Sequence, residues 1–267
     1  MSEINGYRVV PWADLKGVDL SNKNLSQMNL AGIKFKGAKL RNTSFSGSVL
    51  KGADFSEADL TGANLSRADL EGAKFAGAVL EEASLAYTNL NYVKFTPRQN
   101  LRGVNLNQTF LVRATMKGVV LRGASMQGAR LDKAKLGGAD LSDVDLRAAD
   151  LSDANLRGAN LSGADLRRGT QESYFRLGGG VAVEQPTILS KADLSEANLF
   201  GAKLNGAKLT KALLRKANLT NADLSTEEGR SDWTTLYLAD LTGAVLTGAN
   251  LERAYLPEGW ERIVAAR

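Results

Sequence analysis

Large apolar residues recur at every fifth position along most of this 267-residue chain. In the stretch GADLSDVDLRAADLSDANLRGANLSGADL (138–166), every fifth residue from Leu141 to Leu166 is leucine. An amphipathic helix repeats its apolar positions every 3.6 residues and a half-buried strand every two, so neither element accounts for this period. We call the large apolar residue of each five-residue unit its centre. Runs of centres extend from Leu15 to Phe95, from Leu101 to Leu166, from Leu194 to Leu224 and from Leu236 to Leu256.

The residues around each centre predict a short extended piece followed by a corner. Alanine usually lies two residues before the centre, a polar residue lies between them, and polar residues or glycine follow. In an extended piece the first and third side chains point to the same side, and glycine suits a corner that needs a positive φ. Repetition of piece and corner therefore predicts a coil that turns its alanine and centre side chains inward.

The phenylalanines indicate how many pieces make one coil. Four of the five phenylalanine centres in the first run, Phe35, Phe55, Phe75 and Phe95, are separated by multiples of twenty residues, and only Phe45 is out of phase. If four pieces of five residues close one coil, residues twenty apart stack. The sequence therefore predicts a phenylalanine ladder along one wall of a solenoid.

Units such as ADLTGANLSRADLEGA (58–73) resemble the tandem A(D/N)LxG motif of the pentapeptide-repeat family, and the resemblance covers roughly residues 13–256 apart from interruptions. It implies an all-β fold, a right-handed quadrilateral parallel β-helix, in which corners alternate between type II and looser turns. About eleven coils at roughly 4.8 Å each would form a rod about 50 Å long.

The pattern divides the chain into a repeat region and two ends. We predict an N-terminal cap at 1–12, a solenoid at 13–256 and a C-terminal cap at 257–267 whose apolar spacing is helical. Solenoid ends expose coil edges that need covering, so Trp12 and Trp260 are the predicted end caps. An alternative role for the C-terminal segment is contact within a homodimer, as in the quinolone-resistance branch of the family.

Three breaks interrupt the repeats, at 96–100, 167–190 and 225–235. Functional residues of repeat scaffolds often lie on such excursions, and aromatic and arginine side chains are enriched at protein interfaces. The candidate partner-binding residues are therefore Tyr174, Phe175, Arg176 and Trp233. In the alternative interpretation these side chains fold back and cover the side of the solenoid, and residues 167–190 are either a projecting loop or an irregular coil.

Composition narrows the chemistry. The chain has no cysteine and no histidine, which removes the thiolate nucleophile, the commonest general base and the commonest metal ligands. Gly178, Gly179 and Gly180 lack the flanking residues of a phosphate-binding loop, and repeated aspartates follow from the period. We therefore predict a non-enzymatic protein without cofactor or metal. No apolar run resembles a signal peptide or a membrane span, so the predicted location is the cytoplasm, away from membranes.

Three functions fit this picture. The first is a rigid scaffold that binds another protein, of unknown identity, through its faces and loops. The second, implied by the family, is mimicry of duplex DNA and binding of DNA gyrase, which gives resistance to quinolones or toxins. The net charge of +5 argues against mimicry. The main acidic cluster is spread over three predicted walls and consists of Asp140, Asp143, Asp145, Asp150, Asp153 and Asp165.

The third function is binding of a polyanion or nucleic acid through basic stretches at 102–135 and 203–216. Opposite charges also stack in the twenty-residue register, and the sequence shows no continuous basic stripe with interleaved aromatic residues. We therefore expect a mixed surface and rank nucleic acid last among the partners.

Overall fold

The computed structural model describes residues 3–173, 181–226 and 233–261 of a β-helix-type solenoid. Residues twenty apart form isolated parallel bridges, as Asp14 does with Lys34 and Lys34 with Asp54. A bridge recurs every five residues, so that four columns of bridges run along the shaft. The inward alanine and centre side chains of all described coils merge into one continuous hydrophobic core.

Each corner is a tight turn that begins at a centre. The carbonyl of Leu30, for example, accepts a hydrogen bond from the N–H of Ile33 at 3.2 Å. The second corner residue has a positive φ whether it is Gly62 (67°) or Arg67 (61°), and this sign is the one a type II turn requires. The same sign recurs at every corner from Gly17 to Gly163, so the φ values do not show the alternation of turn types that the resemblance implies.

The aspartate or asparagine between alanine and centre has a specific role at the corner. The Oδ1 atom of Asp19 accepts the backbone N–H of Ser21 at 3.0 Å, and Asn24 makes the same contact with Ser26. This side chain, which turns outward, thus satisfies a backbone donor of the turn that follows. The contact explains why the middle position of the repeat is so often Asp or Asn.

Phenylalanine rings form a stacked column inside the first coils. The centroid distances are 5.6 Å between Phe35 and Phe55, 5.4 Å between Phe55 and Phe75, and 5.9 Å between Phe75 and Phe95. Phe45, which the period places on the opposite wall, turns its edge toward both Phe35 and Phe55 at 5.8 Å. The out-of-phase phenylalanine therefore packs against the same column from the other side.

Several polar residues at the inward alanine position are satisfied by the neighbouring coil. The Thr43 hydroxyl donates to the Leu20 carbonyl at 2.8 Å and the Ser48 hydroxyl to the Leu25 carbonyl at 2.7 Å. Buried Gln99 uses its amide nitrogen in the same way, at 2.7 Å from the Phe75 carbonyl oxygen, while its amide oxygen accepts from Thr96. These inward polar side chains thus form hydrogen bonds between neighbouring coils where alanine would make only apolar contacts.

All three breaks are extra residues added to coils that otherwise keep their register. The bridge from Ser84 to Asn105 spans twenty-one residues instead of twenty, so one residue is added near 96–100. Asp150 bridges to Ile188 across thirty-eight residues, which means eighteen extra, and Lys208 bridges to Thr235 across twenty-seven, which means seven extra. The walls resume after each insertion.

Strands longer than one residue lie outside the repeats. Strand β1 (Glu3–Ile4) pairs antiparallel with β2 (Tyr7–Arg8), and β3 (Gly169–Ser173) pairs antiparallel with β4 (Val181–Gln185). Helical conformation in the described ranges is limited to Trp260 and Glu261. Accordingly, the described residues contain no helix with the length and apolar character needed to cross a membrane.

The two ends of the shaft are covered differently. At the N-terminal end, Ile4 of β1 packs against the core and Val9 is buried. Trp12, the predicted cap, is 74% exposed and lies over Gly32 at a corner, so its ring does not close the end. Trp260 is half-buried against the core at the C-terminal end, and residues 262–267 of the predicted cap lie outside the described residues.

Removing one ring from the phenylalanine column tests its contribution to stability. We expect Phe55→Ala to lower the free energy of unfolding by about 3–5 kcal/mol, because Phe55 is fully buried between two stacked rings and the shaft leaves little room to collapse. Phe200→Ala, at a 47% exposed corner phenylalanine, is the matched control and should change stability by less than about 0.5 kcal/mol. Denaturant titration followed by circular dichroism measures both, and equal effects would contradict the prediction.

The corner carboxylates predict acid sensitivity. Burial acts to raise the pKa of Asp165, but hydrogen bonds from the side chain and N–H of Arg167 outweigh it, so the pKa lies below its ordinary value of 3.8. The N–H of Ser21 lowers the pKa of Asp19 in the same direction. A carboxyl with a depressed folded pKa stabilises the fold above its unfolded pKa, and this stability is lost as the pH falls through the folded pKa.

We therefore expect the melting temperature to be constant above about pH 5 and to fall by at least about 5 °C by pH 3. The control is Asp19→Asn, since Asn24 shows that an amide keeps the corner contact without titrating. This variant should show a shallower acid loss. A melting temperature that rises on acidification would refute the sign of these pKa shifts.

Candidate partner-binding site

The two long insertions leave the solenoid at the same corner. Along that corner, the backbone N–H of one coil donates to a backbone carbonyl of the next coil. The donor and acceptor residues are Arg67 and Ala86, Tyr87 and Asn107, Gln108 and Gln127, and Gly128 and Arg147. Ile188 is the first bridged residue after the first insertion, and Thr235 is the first after the second. Both lie in the bridge column of Lys208, so the chain returns to the same column after each insertion. We call this corner the insertion edge; from the N-terminal side it consists of Arg67, Tyr87, Gln108, Gly128 and Ala148, and then the two insertions.

A buried threonine closes the coil after each insertion. The Thr187 hydroxyl donates to the carbonyl of Leu146 or Arg167, each 2.9 Å away. Thr234 holds the equivalent position after the second insertion, with its hydroxyl 3.1 Å from the Ser225 carbonyl oxygen, and it accepts the N–H of Gly206 at 2.8 Å. These threonines join the coil before the insertion to the coil after it, and they replace the alanine of an ordinary unit.

The first insertion is a β-hairpin that turns back along the insertion edge toward earlier coils. The amide nitrogen of Gln127 lies 3.1 Å from Thr170 Oγ1 and 3.3 Å from its carbonyl oxygen, and that of Gln108 lies 3.4 Å from the same carbonyl. Close approach depends on glycine, since a Cβ atom on Gly169 would lie 2.7 Å from the Cβ of Arg147. The base of the hairpin is therefore fixed against the shaft.

A cleft of about 410 Å³ lies between the hairpin and the shaft. Gln171 of β3 forms one side, and the other side carries two aromatic rings, each with an arginine near it. The guanidinium carbon of Arg67 is 5.4 Å from the centroid of Tyr87, and that of Arg130 is 6.0 Å from the centroid of Phe110. Tyrosine and arginine are the residue types that most often anchor protein interfaces.

Of the four predicted partner-binding residues, one lies within the described ranges and three lie outside them. Tyr174, Phe175 and Arg176 lie outside the described residues, whereas Trp233 is 52% exposed and immediately precedes Thr234. Trp233 therefore lies on the insertion edge, two coils beyond the hairpin. Tyr87 and Phe110 were missed because they occupy regular repeat positions; aromatic side chains at outward positions that are normally polar are the signal that marks them.

The described residues offer no site for metal chemistry. Among them, no group of three or more carboxylate, histidine or cysteine side chains converges in a way that would hold a metal ion. The cleft itself is lined by arginine, glutamine, glycine and aromatic side chains. Such a lining suits recognition of a partner surface by stacking and hydrogen bonding.

The chain matches the family model described as pentapeptide repeats, in eight copies that cover more than half of its length. The matched segments are 29–67, 63–96, 100–138, 129–168, 187–226 and 234–258. No curated protein matches the chain significantly.

Among solved structures, the chain is similar to HetL, a pentapeptide repeat protein involved in heterocyst differentiation regulation from the cyanobacterium Nostoc sp. strain PCC 7120. The identity is 29%, with 92% of this chain and 90% of HetL covered and a TM-score of 0.34. It is also similar to full-length QnrB1, a plasmid-mediated fluoroquinolone resistance protein, at 17% identity over 75% of this chain and 92% of QnrB1, with a TM-score of 0.26.

Removing the hydroxyl of Thr187 tests its role in closing the coil. We expect Thr187→Val to lower the free energy of unfolding by about 0.5–1.5 kcal/mol, because it preserves the shape of the side chain and removes the buried hydrogen bond to the Leu146 or Arg167 carbonyl. The matched control is Thr247→Val at an exposed corner, which should cost less than about 0.5 kcal/mol. Chemical denaturation measures the difference, and an unchanged midpoint for Thr187→Val would rule out this role.

Proposed function

Because the chain belongs to the pentapeptide repeat family, we propose that it is a non-enzymatic, rigid scaffold that binds a partner protein through its insertion edge. The observation that carries the proposal is the location of both long insertions on that edge, beside a cleft lined by Tyr87 and Phe110. A continuous core runs behind the edge and holds these elements at fixed spacing. A partner would meet a prearranged surface and lose little conformational freedom of the scaffold on binding.

The proposal includes the finer shape and setting of the molecule. We take the solenoid to be a right-handed quadrilateral helix of about eleven coils, acting in the cytoplasm. It would be a monomer or a homodimer joined through the C-terminal segment. The half-buried centres of the last coil, Leu246, Leu251 and Leu256, support a contact at that end because the preceding coil buries its centres fully.

Binding of DNA gyrase by DNA mimicry receives less support from the charges. Asp145 pairs with Arg147 at 2.8 Å, and Asp165 pairs with Arg167 at 2.7 Å. Four of the six aspartates of the acidic cluster divide among three bridge columns, and Asp143 and Asp153 lie at corners. Since their charges are dispersed and partly neutralised by arginine, this part of the surface lacks the unbroken acidic line that a mimic of the phosphate backbone needs.

Deleting the hairpin without disturbing the coils tests the proposed edge. Removal of residues 169–186 takes out the eighteen extra residues, so that Arg168 is followed by Thr187 and the twenty-residue register becomes continuous. We expect this variant and Phe110→Ser to lose captured partner proteins by at least about tenfold in an affinity pull-down, since truncating an interface anchor weakens binding strongly.

The matched control is Phe200→Ser, because Phe200 is similarly exposed (47%, against 41% for Phe110) and lies at a different corner. This control should retain the partners of the unaltered protein. Identical partner sets for the unaltered protein, the deletion and Phe110→Ser would remove the insertion edge from the proposal. Inhibition or protection of gyrase supercoiling by the purified protein would instead support the mimicry alternative.

A further inference from the structure

Four consecutive coils of one wall of the solenoid concentrate the excess positive charge of the chain. It is the wall of the bridge column in which Lys94 precedes Thr115, Lys135 and Asn155, and we call it the basic wall. Its segments 91–98, 112–118, 132–138 and 152–158 carry seven basic residues and two acidic ones. The difference of +5 equals the net charge of the whole chain, so basic and acidic residues are equal in number in the remaining sequence.

Most of these basic side chains are not paired with carboxylates. Arg157 contacts Glu196 at 2.9 Å. In the described part of the chain, no carboxylate lies within 4.0 Å of the other six, which are Lys94, Arg98, Arg113, Lys117, Lys133 and Lys135. The acidic Asp132 is engaged by Arg130 of the neighbouring wall at 3.5 Å. The basic wall therefore keeps an uncompensated positive field that attracts anions.

The surface of this wall is concave. A depression of about 630 Å³ is floored by Gly137 and Gly138, which have no side chains to fill the space between Lys117 and Arg157. Lys133 and Lys135 line it with them, and Asp153 and Glu196 are the acidic side chains at its border. A second depression of about 500 Å³ follows on the N-terminal side and is lined by Lys74, Lys94 and Tyr92, and by Glu71, which pairs with Lys51 at 2.9 Å. The two depressions lie one after the other along the wall.

Tyr92 adds an aromatic surface to this charged groove. It is 63% exposed at the corner that borders the wall, and its neighbour along that corner in the next coil is Arg113. Proteins that bind single-stranded nucleic acids combine a basic groove along the backbone with aromatic rings on which bases stack. A wall only three residues wide between corners matches one extended strand, while a duplex would also have to contact the neighbouring walls.

We propose that the basic wall binds single-stranded nucleic acid, with the phosphates along the lysines and a base stacked on Tyr92. Each of the four coils contributes at least one basic side chain, at a coil spacing of about 4.8 Å, so one strand running parallel to the shaft meets several of them in succession. This site is separate from the insertion edge, and the two can be tested independently.

The probe is a fluorescein-labelled oligothymidylate of about twenty nucleotides, and binding is followed by fluorescence anisotropy at several salt concentrations. We expect saturable binding that weakens with salt. The triple variant Lys117→Gln, Lys133→Gln and Lys135→Gln should lose at least about tenfold in affinity and reduce the salt slope by about two, since each phosphate contact on a single strand contributes about 0.7.

The matched control carries Lys39→Gln, Lys203→Gln and Lys208→Gln, which remove the same charge from other walls. It should retain affinity within about twofold, because these lysines lie on other walls and at other coils, and exposed charges are screened over about 10 Å. Tyr92→Asn tests stacking, since asparagine tolerates the positive φ of 60° at this corner. This variant should weaken oligothymidylate binding by about fivefold or more and leave heparin binding unchanged.

Several results would overturn the proposal. Absence of saturable binding by the folded protein, or equal losses in the two triple variants, would exclude the basic wall as the site. Polyglutamate that binds as tightly as oligothymidylate would assign the wall to an acidic protein segment instead. A Tyr92→Asn variant that binds oligothymidylate normally would exclude stacking and with it the choice of nucleic acid. The deletion of 169–186 should not change binding, which separates this outcome from that of the insertion edge.

Discussion

The structure depends on a single constraint, which is that each five-residue unit must turn one small and one large side chain into a narrow, dry interior. The alanine two residues before each centre is as essential as the centre itself, because larger side chains from four walls would not fit together. At Thr43 and Gln99, where a polar residue replaces the inward alanine, the side-chain donor reaches a carbonyl of the neighbouring coil. The interior is thus closed both to water and to unpaired polar groups, and chemistry is confined to the corners and the outer walls.

The sequence predicted the elements that repeat and failed where the register changes. The stacking of Phe35 on Phe55 follows from a separation of twenty residues, and it needs no knowledge of the rest of the chain. The place of Lys94 on the basic wall was not visible in the sequence because the extra residue near 96–100 moves Lys94 over Thr115 rather than over Ala114. The shift of one residue changes which side chains become neighbours in the coils that span the insertion, and the later coils return to the twenty-residue register. The column assignments therefore required the bridges themselves.

Two further errors have local causes. Trp12, predicted to cover one end of the shaft, is exposed instead. Trp12 is itself a corner residue with a φ of 63°, and its ring lies over Gly32. Ile4 of the short strand β1 packs against the core at that end instead. The cleft was missed because nothing in the periodicity indicates which way an insertion turns. Its direction is set by the contacts of Gln108 and Gln127 with Thr170, which lie 62 and 43 residues apart in sequence.

The lengths of the three insertions have a consequence for how such a molecule can change. One, seven and eighteen extra residues are all accepted, and none is a multiple of the five-residue unit. The shaft therefore does not restrict the number of residues that can be inserted at a corner, provided that a residue such as Thr187 or Thr234 restores the next wall. New surface can be acquired at a corner in any length while the interior stays the same, so recognition and folding can vary separately within one chain.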